Sequence, residues 1–179
     1  MIRAITRLRA LLGIRAIPAE SGPVTVAPDT DSNGPITLQA VAELEAGRLR
    51  KAQELAAAAD AAGEASAAPF LEALADIRRN VGEVQRRPRV AQPHFALACS
   101  YFLADAGQLA MAEATKALRL NPRLGEAYAL RSAEYCFRGE RLAAEREYTA
   151  AASLLPPHSE WLTMASELRQ RTFGLGEAA

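Results

Sequence analysis

The sequence has little lysine, few aromatic residues and only two cysteines. Two of its 21 basic residues are lysine, and aromatic residues make up 6% of the chain. Basic and acidic residues balance to a net charge of zero, which excludes a strongly basic nucleic-acid-binding chain. No stretch approaches about 18 uninterrupted apolar residues, so no transmembrane helix is predicted. Cys99 and Cys136 are too few for a disulfide framework, and their spacing fits no zinc motif.

Alanine is abundant instead and is the most common residue in the chain. It is the best helix-forming residue, and its small side chain lets helices approach closely. Since half of the chain is apolar, a wholly disordered chain is excluded. The composition therefore predicts an all-α protein with a core built largely from small side chains.

Residues 1–17 form a basic segment with apolar residues at helical spacing and no acidic residue. Three interpretations remain open for Arg3, Arg7, Arg9 and Arg15. The four arginines could belong to a helix that contacts an anionic membrane surface or a partner. They could instead belong to an arginine-rich transit peptide, or to a terminus that frays or docks on the chain's own body. Residues 18–36 contain four prolines and predict a linker.

Residues 37–90 are predicted to form a divergent helical hairpin. We expect its first helix to cover residues 37–61, with Thr37 as the N-cap and Leu38 and Leu44 on the apolar side. Small residues and Gly63 predict a turn, and Pro69 begins a second helix over residues 69–86.

An internal repeat follows. Pro88, Pro122 and Pro156 are equally spaced in the sequence, and Tyr101 and Tyr135 share that spacing. The same spacing, which we call the repeat interval, also relates two alanine pairs and a leucine pair. A fixed interval of about 34 residues indicates stacked supersecondary units.

Residues 91–124 and 125–158 resemble the tetratricopeptide repeat (TPR), a two-helix unit of about 34 residues. The matching positions in the first unit include Leu97, Ala98, Tyr101, Ala110 and Pro122, with His94 in the tryptophan position. The second unit has matching residues Tyr128, Tyr135, Gly139, Ala144, Tyr148 and Pro156, although Arg131 replaces the usual leucine.

This resemblance to small TPR proteins, of a kind common in bacteria, implies a short right-handed solenoid of helical hairpins. Residues 159–173, with Ser159 as N-cap, would form its capping helix, and residues 174–179 a flexible tail. The alanines at the matching positions, and Tyr101, Tyr135 and Tyr148 between the helices, are expected to be structural.

The resemblance also implies a concave groove lined by the first helix of each repeat and by the capping helix. Its predicted residues are Gln92, Phe95, Cys99, Phe102, Leu103, Glu126, Ala129, Ala133, Cys136, Phe137, Thr163 and Glu167. Family members that bind chaperone C-termini have a polar clamp there, whereas this chain has Phe95, Cys99, Ala129 and Ala133. An apolar groove favours an amphipathic helix or hydrophobic segment of a protein partner. The alternative is that the N-terminal helix or the helix at 37–61 fills it in cis.

The predicted function is a non-enzymatic adaptor or scaffold in the cytoplasm, with no cofactor, no metal and no nucleic acid. His94 and His158 are far apart in the sequence and support no catalytic base, and the common catalytic and phosphate-binding motifs are absent. One alternative is an assembly factor tethered to the inner face of a membrane by residues 1–17. Another is a small chaperone for an assembling or exported partner, similar in repeat count to type III secretion chaperones. Homo-oligomerisation would be a further way to cover an apolar face.

Overall fold

A computed structural model describes residues 35–174, and this part of the chain contains eight α-helices and no strand. The all-α prediction is therefore confirmed for these residues. The predictions for residues 1–17 and for most of the linker and C-terminal tail lie outside them. The chain divides into two compact units between Glu72 and Ala73. The helices are α1 (Ile36–Glu45), α2 (Leu49–Ala61), α3 (Ala67–Arg86), α4 (Ala91–Leu103), α5 (Gly107–Leu120), α6 (Gly125–Phe137), α7 (Arg141–Leu154) and α8 (Glu160–Phe173).

In the first unit, α1 and α2 are two helices that pack against each other, so the prediction of one helix over residues 37–61 is wrong. Gly47 has φ +77°, a left-handed conformation that ends α1 and that glycine adopts without steric cost. Its amide donates to the carbonyl of Leu44. The turn is further held by Glu43, whose carboxylate pairs with Arg48 and, at 3.1 Å, with Lys51.

The start of α1 is capped by a residue from after α2 rather than by Thr37. One carboxylate oxygen of Glu64 accepts the Ile36 amide at 2.8 Å, and the other accepts the Thr37 amide at 3.0 Å and its hydroxyl at 2.5 Å. Ser66 donates to the Thr37 hydroxyl at 3.1 Å. The prediction of Thr37 as the N-cap is therefore wrong, because Thr37 lies inside the helix and is buried.

The apolar side of α1 also differs from the prediction. Leu38 is 58% exposed, whereas Thr37, Ala40 and Leu44 are buried. Leu44 is therefore buried as expected, whereas Thr37 and Ala40 are buried and the expected Leu38 is not. A cap made by Glu64 satisfies the polar groups of Thr37 and so permits its burial.

In the second unit, α4 packs on α5 and α6 packs on α7. Helices α6 and α7 begin and end one repeat interval after α4 and α5, so helix and turn lengths are the same in both pairs. The alanines expected at close-approach positions have no exposed surface. These are Ala98, Ala110, Ala117, Ala144 and Ala151. Their methyl groups allow the short distances between helices that a longer side chain would prevent.

Gly125, the first residue of α6, marks a similarly close approach. A Cβ atom at this position would lie 2.6 Å from Cγ of Leu155 and 3.1 Å from Cβ of Leu154. These distances are too short for any side chain, so the end of α7 and the start of α6 require glycine to pack as they do.

Helix α8 closes the second unit and packs on α6 and α7. Ser159 is its N-cap residue, as predicted, although its side chain makes no capping hydrogen bond. The buried face consists of Trp161, Leu162, Met164, Ala165 and Leu168. Gly174 follows with φ +65° and ends the helix in a left-handed conformation.

Candidate functional site

The twelve residues predicted to line a groove lie on α4, α6 and α8, but they are unequally accessible. Four are buried within the chain: Phe95, Ala129, Ala133 and Cys136. Gln92 is exposed, and the remaining seven are half-buried. Arg3, Arg7, Arg9 and Arg15, the predicted membrane or partner contacts, lie outside the described residues.

One part of the predicted groove is occupied by a contact between α4 and α8. The rings of Phe95 and Trp161 have centroids 5.4 Å apart at a tilt of 59°, and both residues are buried. Ala129 of α6, which follows Phe95 by one repeat interval, is completely buried as well.

Another part remains accessible and is aromatic. Phe102 at the end of α4 and Phe137 at the end of α6 have ring centroids 5.8 Å apart, tilted by 44°. Both rings are half-buried, as is Leu103. We call Phe102, Leu103 and Phe137 the aromatic edge. It joins the first helices of the two hairpins and keeps part of its apolar surface accessible.

The two cysteines occupy different surroundings. Burial raises the pKa of the Cys99 thiol to about 12, and the negative charge of Glu126 contributes to the increase. Burial raises the pKa of Cys136 to about 11, while Arg169 lowers it and Glu145 raises it. Both thiols are therefore protonated at neutral pH. Among the described residues no group of three or more His, Cys, Asp and Glu side chains could hold a metal ion.

His94 has a buried partner that sequence reasoning missed. Its Nδ1 lies 2.7 Å from Oε2 of Glu113 on α5, and its Nε2 lies 3.1 Å from the Pro88 carbonyl. Lys116 pairs with the other oxygen of Glu113 at 2.6 Å. The imidazole therefore links the turn before α4 to both helices of the first hairpin. Its enclosure between two acceptors supports a structural role.

The second hairpin has a buried carboxylate at the corresponding position. Glu147 follows Glu113 by one repeat interval, is buried, and is paired with Arg131 at 3.0 Å and with Arg146 at 3.4 Å. Arg131 is the residue that departs from the family pattern. The register relates Glu113 to Glu147 but not their partners, because Arg131 corresponds to Leu97 rather than to His94.

Helices α7 and α8 are joined through Arg169. Its guanidinium lies 3.9 Å from the centroid of the Tyr148 ring and forms an ion pair with Glu145. A cation over an aromatic face at this distance is stabilising. Tyr148 was expected to fill space between helices, and this contact gives it a specific partner.

Comparisons with family models, with curated proteins and with solved structures found no match. Among residues 35–174, none of the helices combines the length and apolar character needed to cross a membrane. The geometry of the helices and of their accessible surfaces is therefore the basis for assigning a function.

Proposed function

We propose that this chain is a TPR-like, non-enzymatic adaptor that holds an apolar or amphipathic segment of a partner protein. The matched bounds of α4–α5 and α6–α7, offset by one repeat interval, support a tandem repeat. The position of α8 after the second pair supports its role as a capping helix.

The aromatic edge is the observation that carries this proposal. Phe102 and Phe137 come from successive first helices and pair at 5.8 Å while staying half-buried. Aromatic side chains that retain accessible surface are common anchors of protein–protein interfaces. The chemistry of the buried groups supports binding rather than catalysis, because both thiols are protonated and His94 is enclosed.

The proposal is tested by comparing partner capture by three forms of the full chain: unmodified, Phe102→Glu and Leu142→Glu. A charge at Phe102 would have to be desolvated beneath an apolar partner, so we expect proteins captured by the unmodified chain to be lost. Leu142 is 86% exposed on α7 and serves as the control for the same apolar-to-acidic change. Circular dichroism verifies that both variants fold. Capture that persists with Phe102→Glu would rule out the aromatic edge as the binding surface.

A further inference from the structure

The accessible positions of the predicted groove carry acidic charge. Of the twelve residues, Glu126 and Glu167 are acidic and none is basic. Both are half-buried, on α6 and α8. The ion pairs formed between residues 35 and 174 include neither carboxylate. Within the described residues, these two charges are therefore not neutralised by an ion pair.

The position of Glu126 relates this charge to the aromatic edge. Glu126 and Phe137 lie on the same helix, α6, about three turns apart and therefore on the same side of it. Glu126 lies near the start of α6 and Phe137 at its end, a separation of about 16 Å at the rise of an α-helix. Three turns of a partner helix would span this distance.

We propose that the partner segment is a basic amphipathic helix, which places apolar residues on Phe102 and Phe137 and arginine or lysine near Glu126 and Glu167. This inference rests on the proposed function and specifies the partner's chemistry. A half-buried carboxylate gains most from a cation that approaches with its own hydrogen-bond donors, and arginine supplies these in a planar fork. Apolar anchoring alone would accept an acidic helix equally well. The two carboxylates would select against it.

Two synthetic peptides of equal length test this chemistry on the full chain. One has the sequence MIRAITRLRALLGIRAI, and the other has glutamate at its four arginine positions. Both present the same apolar side, so only the charge differs. We expect the basic peptide to bind at least tenfold more tightly than the acidic one, by fluorescence anisotropy, and its affinity to fall with added salt.

Variants of the chain separate the contribution of charge from that of apolar contact. Glu126→Gln should lower the affinity for the basic peptide about fivefold and leave the affinity for the acidic peptide unchanged or slightly higher. Phe102→Ala should weaken both peptides about tenfold or more. Glu83→Gln, which removes a carboxylate paired with Arg86 on α3, is the matched control and should change neither affinity.

The outcomes are distinguishable. Equal affinities for both peptides, with a loss on Phe102→Ala, would overturn the charge inference and leave the proposed function intact. Binding of neither peptide would count against both the charge inference and the proposed function. The exception is that the basic peptide binds once Arg3, Arg7, Arg9 and Arg15 of the chain itself are changed to glutamate. In that case the chain's own residues 1–17 compete for the surface, and the proposal that a separate partner occupies it would be overturned.

Discussion

Gly82 and Gly125 differ in what surrounds their α-carbons, and the difference predicts opposite effects of the same substitution. A Cβ at Gly125 would overlap Leu155 at 2.6 Å, whereas one at Gly82, within α3, has no neighbour within 4 Å. Gly82 therefore lies in a helix at a position where packing does not require glycine.

Gly125→Ala should destabilise the protein by about 1–3 kcal/mol, because Leu155 or the start of α6 must move. Gly82→Ala should stabilise it by about 0.5–1 kcal/mol, because alanine loses less backbone entropy in a helix. Urea denaturation of both variants measures the two values. A Gly125→Ala variant that is not destabilised would contradict the close approach at Gly125, and a destabilised Gly82→Ala variant would contradict the open space at Gly82.

Glu64 predicts a pH-dependent contribution to the stability of α1. The hydroxyl and amide of Thr37 and the amide of Ile36 lower the pKa of Glu64 below its ordinary value of 4.5. A lowered pKa in the folded state means that the ionised form stabilises folding. This contribution is fully present above pH 4.5 and is lost as the pH falls through the lowered value.

Replacement of Glu64 by Gln should therefore lower the urea midpoint at pH 7 and flatten its acid dependence below pH 4.5. Glu54→Gln is the control, because Glu54 is 66% exposed and paired only at 3.5 Å with Arg50. The cap would be unsupported if Glu54→Gln and Glu64→Gln had the same midpoint at both ends of the pH range.

The buried pair between α6 and α7 shows how two helices of one hairpin depend on each other. Arg131 and Glu147 have side chains 17% and 6% exposed, and Nε of Arg131 and Oε2 of Glu147 have no hydrogen-bond partner. Removing one member leaves a buried charge poorly compensated, whereas removing both leaves none.

Arg131→Leu should cost about 3 kcal/mol of unfolding free energy, and adding Glu147→Leu should recover most of it. Leucine already occupies the corresponding position of α4, Leu97, which makes the double replacement compatible with a repeat of this kind. A double-mutant cycle by urea denaturation gives the coupling energy. Additive losses would mean that the pair contributes no coupling between α6 and α7.

The five helices from α4 onward could be predicted from the sequence, because proline and alanine recur at a fixed period and mark helix ends and contacts. The break between α1 and α2 could not. A single glycine at 47 within an alanine-rich stretch is compatible with a continuous helix until the cap of α1 is known. That cap comes from Glu64, on the far side of α2 from Thr37, a pairing that no local pattern reveals.

At the scale of the described residues, the helices that carry the predicted groove residues could be predicted from the sequence, but the accessibility of those residues could not. The repeat register predicts which side of a helix a residue lies on. The burial of Phe95 depends on how closely Trp161 of α8 approaches it, which is a matter of tertiary packing. Phe102 and Phe137 contact each other and remain half-buried, which likewise depends on tertiary packing.

The two thiols provide a readout of unfolding of the unit that contains them. Burial raises the pKa of both thiols well above the ordinary value of 9.0, so little thiolate is present on either at pH 8. We expect a thiol reagent to label the native protein very slowly and to label it in urea in parallel with loss of helix. Rapid labelling of either thiol before the helical signal changes would show that its surroundings open locally.

The equal lengths of the two hairpins also determine how this chain could be extended. A second copy of residues 91–124 inserted before Gly125 would meet, at each junction, a helix boundary of the type already present there. One extra residue inside α6 would instead rotate everything after it by about 100° around the helix axis. The chain could therefore be lengthened in whole steps of one hairpin, each adding a new first helix in the same series as α4 and α6.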